Sequence, residues 1–381
     1  MTATKKIKLM HMVNHLTLTG MEYGVIKLLN KLPSDMYEKH ICVLSKVYPG
    51  VGELVSKDIN IVELKRNPGF DLKIINPIKN YINKNGIEIL HSHNWATLPF
   101  AVILKMISSA KYLIHGEHGR ESVTWKMSRL QKLFIKIFKH VVTRYTAVAN
   151  HLADDIHQIW NVDRRKITSV ANGIDFAKFD LENVSGELRK ELEISEDSTV
   201  LCTIAGFRPI KDHLTIFKAV GNLSKKINNI TLLVIGTSFD SSVNEKMKDL
   251  AATHCGNASV KFMGLRKDIP RILKSIDIYI NASIYEGMSN TILEAMACKC
   301  PVVASNNNGN RELLAEINQD NLFEVGNSQD LANKIYTILT NSKSKKELID
   351  SQYALVRNKY SNEKYVTGYD SIYKAIHENL V

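Results

Sequence analysis

Two groups of residues in the second half of the chain have the types and spacing to handle an anionic, hydroxyl-rich ligand. The first is Tyr285-Glu286-Gly287-Met288-Ser289-Asn290, followed one helical turn later by Glu294. An apolar run precedes it and a helix-like stretch follows, with Ser289 at the N-cap position. A helix start carries unpaired backbone N–H groups and a partial positive charge, and such an end seats a diphosphate. Gly287 lets the backbone approach a ligand with no Cβ between them. Glu294 has a carboxylate able to accept two hydroxyl hydrogen bonds, as from a ribose. The two acids would also favour a helix N-terminus with no ligand present, so their spacing alone decides nothing. The second group is Gly206-Phe207-Arg208-Pro209-Ile210-Lys211-Asp212-His213. It offers a planar guanidinium fork and a point charge in one loop, again suited to a diphosphate.

The first half holds histidines after apolar runs: His91-Ser92-His93 and His115-Gly116-Glu117-His118-Gly119. A neutral imidazole there can hydrogen-bond a hydroxyl or serve only the core. Residues 125–139 carry Lys126, Arg129, Lys132, Lys136 and Lys139 at helical spacing. Leu130, Leu133, Phe134, Ile137 and Phe138 form an apolar stripe beside them. Such a helix either turns its apolar face to the core or lies on an anionic membrane.

The elements needed to hold these groups are legible as alternating apolar runs and helical stretches. Runs near Lys6–Val13, His40–Leu44, Ile59–Leu64, Ile87–His91, Tyr112–His115, Thr146–Ala149 and Ile167–Val170 read as strands of one parallel sheet. Thr199–Ala205, Thr231–Ile235, Val260–Phe262, Ile276–Ile280 and Val302–Ala304 repeat the scheme. At 381 residues the chain has room for two such α/β domains. We expect an N-terminal domain over 1–185 and a C-terminal one over 186–362, the boundary lying in the polar stretch Asp180–Ser198. A last amphipathic helix, about 363–381, carries Tyr365, Tyr369, Ile372, Tyr373 and Ile376 on one side and packs back on the first domain.

Composition narrows the classes. A net charge of +11 favours anionic partners, but no aromatic-basic motif or zinc spacing points to nucleic acid. There is no Gly-x-Gly-x-x-Gly and no Walker loop, which argues against a dehydrogenase or a P-loop enzyme. No Asp-x-Asp follows a strand. The five cysteines lack metal spacing and read as free thiols of a reducing cytoplasm. The N-terminal apolar run is short and broken, a first strand rather than a signal peptide, and no transmembrane span is expected.

The segment from Tyr285 through Glu294-Ala295-Met296-Ala297 to Cys300-Pro301-Val302-Val303-Ala304-Ser305 resembles the donor-site signature of family 4 glycosyltransferases. These are retaining enzymes of the GT-B fold, two Rossmann-like doubly wound domains facing across a cleft. The resemblance covers nearly the whole chain. It implies that Glu294 binds the ribose, that Glu286 faces the donor sugar, and that the amides of Gly287, Met288, Ser289 and Asn290 hold sugar and phosphate. Lys211 matches the family's phosphate-binding lysine. The usual arginine, five residues earlier, is Gly206 here, with Arg208 the substitute. Gly236 resembles the Gly loop near the nucleotide, and backbone groups at Leu265 and Arg266 the segment that passes the base. Asn308-Gly309-Asn310-Arg311-Glu312 is similar to the Gly-Gly-x-x-Glu region. In the first half, Gly20 matches the family's Gly-Gly-x-Glu loop, with Met21 replacing the second Gly, and His118 the histidine near the reacting sugar. The implied reaction moves a sugar from a nucleoside diphosphate donor, expected to be UDP-linked, to a glycan or lipid-linked glycan acceptor of surface polysaccharide synthesis. No cofactor or metal is implied. An epimerase or phosphorylase of the same fold is the nearest alternative. The expected location is the cytoplasm, at the inner membrane face if residues 125–139 bind lipid.

Overall fold

The computed structural model describes residues 6–17, 20–119, 127–179, 187–317 and 319–378. The chain forms two compact units. Among the described residues, the first comprises 6–17, 20–119, 127–173 and 363–378, and the second 174–179, 187–317 and 319–362.

In the first unit the strands are β1 (Ile7–Leu16), β2 (Tyr37–Val47), β3 (Ile59–Glu63), β4 (Ile89–His93), β5 (Tyr112–Glu117), β6 (Arg144–Ala147) and β7 (Ile167–Ser169). They form one sheet in the order β3-β2-β1-β4-β5-β6-β7, and every pair is parallel. The second unit has β8 (Thr199–Ile204), β9 (Ile230–Ile235), β10 (Ser259–Gly264), β11 (Ile278–Asn281), β12 (Val302–Ser305) and β13 (Leu322–Phe323). Their order is β10-β9-β8-β11-β12-β13, again parallel throughout. Apolar residues facing helices on both sides make such sheets possible, and Leu9, Leu90, Leu201, Leu232 and Ile280 are completely buried. The order reverses between β1 and β4 in one unit and between β8 and β11 in the other. At such points the loops after neighbouring strands diverge and leave a crevice at the carboxyl ends.

The second unit begins at Ile174, earlier than the boundary expected at 185/186. The backbone explains it: Ile174 donates to Tyr360 O at 2.8 Å, and its carbonyl accepts from Asn362 N at 2.9 Å. The last helix, Asn362–His377, belongs to the first unit. Tyr365, Tyr369, Ile372, Tyr373 and Ile376 are all buried in that unit's core. Tyr37 Oη donates to Asp370 at 2.6 Å and Tyr365 Oη to the Gly24 carbonyl at 3.1 Å. No described helix is long and apolar enough to cross a membrane.

Candidate active site

In the second unit, the loops after β8 and β11 meet at the reversal of strand order. Ile284 N donates to Ile210 O at 2.8 Å, fastening one loop to the other. Lys211 and Glu286 then pair, Nζ to Oε1 at 2.6 Å, both largely shielded from solvent. The same Oε1 accepts from Ser283 Oγ at 2.6 Å and, at 3.5 Å, from Asn281 Nδ2. Asn281 also donates to Ser289 Oγ at 3.2 Å. Ser289 caps the helix Asn290–Ala297, its hydroxyl accepting from Ile292 N. The lysine, the acid and the helix start therefore belong to one hydrogen-bonded cluster.

Two glycines let the backbones close in. A Cβ on Gly309 would lie 2.5 Å from Glu286 O and 2.8 Å from Gly287 O, so the helix Asn308–Leu314 can press against the acidic loop only with glycine there. Gly236 has φ +132°, and its Cβ would stand 2.0 Å from Ala205 O. Gly206 is different: a Cβ there would meet Thr237 O at an ordinary 3.5 Å.

Glu294 is half-buried one turn into its helix, while Gly287, Met288 and Ser289 are buried and Asn290 half-buried. Arg208 is exposed on the loop that bears Lys211. Leu265, 73% exposed, follows β10. The Arg266 guanidinium is held by Asp268 at 2.7 and 2.6 Å and lies 3.6 Å from Glu191. His213, next to Lys211, is buried against Phe207, and desolvation lowers its pKa to about 4.

Sequence reasoning missed the polar support under Glu286. Asn310, fully buried, donates to Asn281 Oδ1 at 3.1 Å and to Ser305 O at 3.0 Å. Asn307 donates to Ser283 O at 2.8 Å while capping the helix that carries Asn310. Asparagines in a strand-end segment were the available signal. Phe239, 91% exposed after β9, was also passed over.

In the first unit, Gly20 opens the helix Gly20–Lys31 with φ +63°, a conformation that favours glycine. Met21, beside it, packs on the core. His118 follows β5; its backbone N–H donates to Asn94 Oδ1 at 3.0 Å, tying it to the turn after β4. His118 Nε2 lies 2.8 Å from His93 Nδ1. Burial, with the charge of His115 adding to it, lowers the His118 pKa to about 3. His11, His91 and His93 are buried and their protonation is likewise suppressed, chiefly by desolvation. These three are the one group of described residues placed closely enough to share a metal ion.

The basic helix is Arg129–Phe138, capped by Ser128 and Gln131 in a reciprocal box; Trp125 and Lys126 lie outside the described residues. Its apolar stripe is largely uncovered: Leu130, Leu133 and Ile137 are 78%, 52% and 55% exposed, and only Ile135 is buried. Phe134 meets Trp95 edge to face at 5.6 Å. All five cysteines are free and buried.

Two parallel Rossmann-like sheets, each with a reversal of strand order, make the architecture of the GT-B class. The chain belongs to the glycosyltransferases on both halves: residues 18–178 match the model of Glycosyltransferase Family 4, and residues 184–354 that of Glycosyl transferases group 1. Among curated relatives, it is 24% identical over 380 residues to the UDP-Gal:alpha-D-GlcNAc-diphosphoundecaprenol alpha-1,3-galactosyltransferase of Escherichia coli, covering 96% of this chain and 94% of that one. It is 23% identical to the N-acetyl-alpha-D-glucosaminyl L-malate synthase of Bacillus anthracis, over 87% of this chain and 85% of the relative. Among solved structures, a glycosyltransferase from Rickettsia africae superposes with TM-score 0.84 at 22% identity, over 98% and 99% of the two chains. Anabaena HepE in complex with UDP and glucose gives 0.83 at 16%, over 97% and 100%.

Proposed function

We propose that this chain moves a sugar from a UDP-linked donor to a lipid-linked saccharide in surface polysaccharide assembly, with retention at the anomeric carbon. The observation that carries the donor reading is the Lys211–Glu286 pair, set beside a serine-capped helix start at the β8/β11 reversal. On donor binding, the diphosphate takes over the Lys211 ammonium, and Glu286 is released to face the sugar. The amides from Gly287 to Asn290 point their partial charge at the sugar and phosphates, and Glu294 accepts from the ribose hydroxyls. As the bond to the anomeric carbon breaks, negative charge grows on the diphosphate, and Lys211, Arg208 and the helix start stabilise it. This arrangement needs no metal. The departing diphosphate takes the acceptor's hydroxyl proton. We assign His118, in the first unit, to the transferred sugar on its match to the family's histidine.

The acceptor class rests on the Escherichia coli relative, whose acceptor is a diphosphoundecaprenol-linked sugar. The uncovered apolar stripe of Arg129–Phe138, flanked by exposed Arg129, Lys132 and Lys136, supports docking on an anionic bilayer. Incubation with UDP-galactose, UDP-glucose or UDP-N-acetylglucosamine and a lipid-diphosphate-linked saccharide, in the presence of EDTA, tests the reaction. A glycosylated lipid should form with at least one donor. Hydrolysis or epimerisation alone would refute the transfer. Sedimentation with phosphatidylglycerol vesicles should be lost on Leu130→Ser/Leu133→Ser and weakened by salt. Equal sedimentation with neutral vesicles would contradict the anionic surface.

A further inference from the structure

Four histidines and one tyrosine in the first unit form an unbroken hydrogen-bonded chain. His91 Nδ1 is 2.8 Å from Tyr373 Oη, and Tyr373 Oη is 3.1 Å from His11 Nε2. His11 Nδ1 is 2.9 Å from His93 Nε2, and His93 Nδ1 is 2.8 Å from His118 Nε2. His11, His91 and Tyr373 are completely buried and His93 nearly so, whereas His118, at the outer end, is half-buried. At the inner end, His91 Nε2 is buried with no partner among the described residues.

Proton counting restricts this chain. A neutral imidazole has one N–H and one lone pair, so each interior histidine must donate on one side and accept on the other. Three arrangements make all the bonds. In one, every proton points inward and His91 is left with a buried, unpaired Nε2–H. In another, both His91 and His11 donate to Tyr373, whose hydroxyl proton is then stranded in the core. In the third, His91 donates to Tyr373, Tyr373 to His11, His11 to His93 and His93 to His118. This last arrangement leaves no buried donor unpaired; its only unmet buried group is the His91 Nε2 lone pair. Orphaned buried N–H groups are rarer than under-satisfied acceptors, so the outward arrangement prevails.

We propose that this outward chain locks the proton of His118 on Nδ1, so that His118 meets the reacting groups as a hydrogen-bond donor and not as a base. The proposal rests on the reading that His118 acts on the transferred sugar. With Nε2 occupied by His93, the Nδ1–H is the group His118 has left to offer, and it orients a sugar or acceptor oxygen. His93 is the positioning residue in direct contact; His11, Tyr373 and His91 set the direction. The close approach of His11, His91 and His93 is then explained by hydrogen bonds, with no metal required.

Long-range proton–nitrogen spectra of the full chain labelled with nitrogen-15 histidine test this, with peaks assigned through single histidine variants. All four histidines should carry the proton on Nδ1, the less common tautomer of free histidine. An Nε2 proton on His118 overturns the proposal. So does zinc that copurifies in equal amount and is lost in His91→Asn. In His93→Asn, His118 should lose its pure Nδ1–H signature, and kcat should fall about tenfold with donor KM changed less than twofold. An unchanged tautomer there, or a purely KM effect, counts against the lock. If His93→Asn does not fold, the wild-type spectrum decides alone. Full transfer by His118→Ala, with four Nδ1 protons in the wild type, overturns the role at the sugar and separates that failure from failure of the chain.

Discussion

Acid should unfold the first unit in a pH range where carboxylates are still silent. His11, His91 and His93 are at most 2% exposed, and burial holds the His11 pKa at about 3 and the other two well below 6.5. The unfolded chain binds a proton at each near pH 6.5, while the folded chain does not. Stability is therefore full above pH 6.5 and falls as the pH drops towards the folded values. Between pH 7 and pH 5 His11 withdraws about 2 kcal/mol, and His91 and His93 act in the same direction. The His11 share alone is a noticeable part of the roughly 5–15 kcal/mol that holds a domain together. His40 and His118, whose pKa values are also lowered, act in the same direction. Glu38 and Asp58 have lowered pKa values, so their contributions disappear only below this window. Urea titrations at pH 5, 6 and 7 in a Trp125→Phe background would follow Trp95 and Trp160, both in the first unit. His91→Asn should reduce the pH dependence. A midpoint that does not move between pH 7 and pH 5, or an unaltered slope in His91→Asn, would refute the reasoning.

The glycines give a paired test. Gly309→Ala should push the Glu286-Gly287 loop away, costing about 1–3 kcal/mol with a severe loss of transfer, whereas Gly206→Ala should leave the melting temperature within about 1 °C. Calorimetry and a transfer assay on both variants check this, and a harmless Gly309→Ala would contradict the packing. Ile376→Ala on the last helix should destabilise the first unit by about 2–5 kcal/mol, read by urea unfolding, without changing affinity for UDP. Glu294→Ala should weaken UDP binding by about 10- to 100-fold, the net worth of one hydroxyl bond to a charged group, as measured by calorimetric titration.

The parallel sheets were legible because their strands are short apolar runs separated by helical stretches, and the edges of these runs shifted by only a few residues. β13 was not, since Leu322–Phe323 is too short to show a period. Nor were the helices Ser328–Thr340 and Ser342–Lys359 assigned. The last helix was readable from its one-sided Tyr and Ile pattern. At the site, the helix start and its serine cap are local features and could be read directly. The contact of Lys211 with Glu286 joins residues 75 positions apart, and that of His11 with Tyr373 joins residues 362 apart. Such pairings come from strand order, which local patterns do not encode. His91 and His93 looked like ordinary strand-end histidines, and only β1 and the last helix, brought beside them, turn them into a chain.

The central claim is that Lys211 holds the β-phosphate of a nucleoside diphosphate beside the Ser289-capped helix. Titrating UDP and UMP into the wild type and Lys211→Ala tests it most directly, because UMP lacks that phosphate. The account predicts that Lys211→Ala loses about 10- to 100-fold in UDP affinity and almost nothing for UMP. Equal UDP affinity in the two proteins, or an equal loss for both ligands, would contradict it.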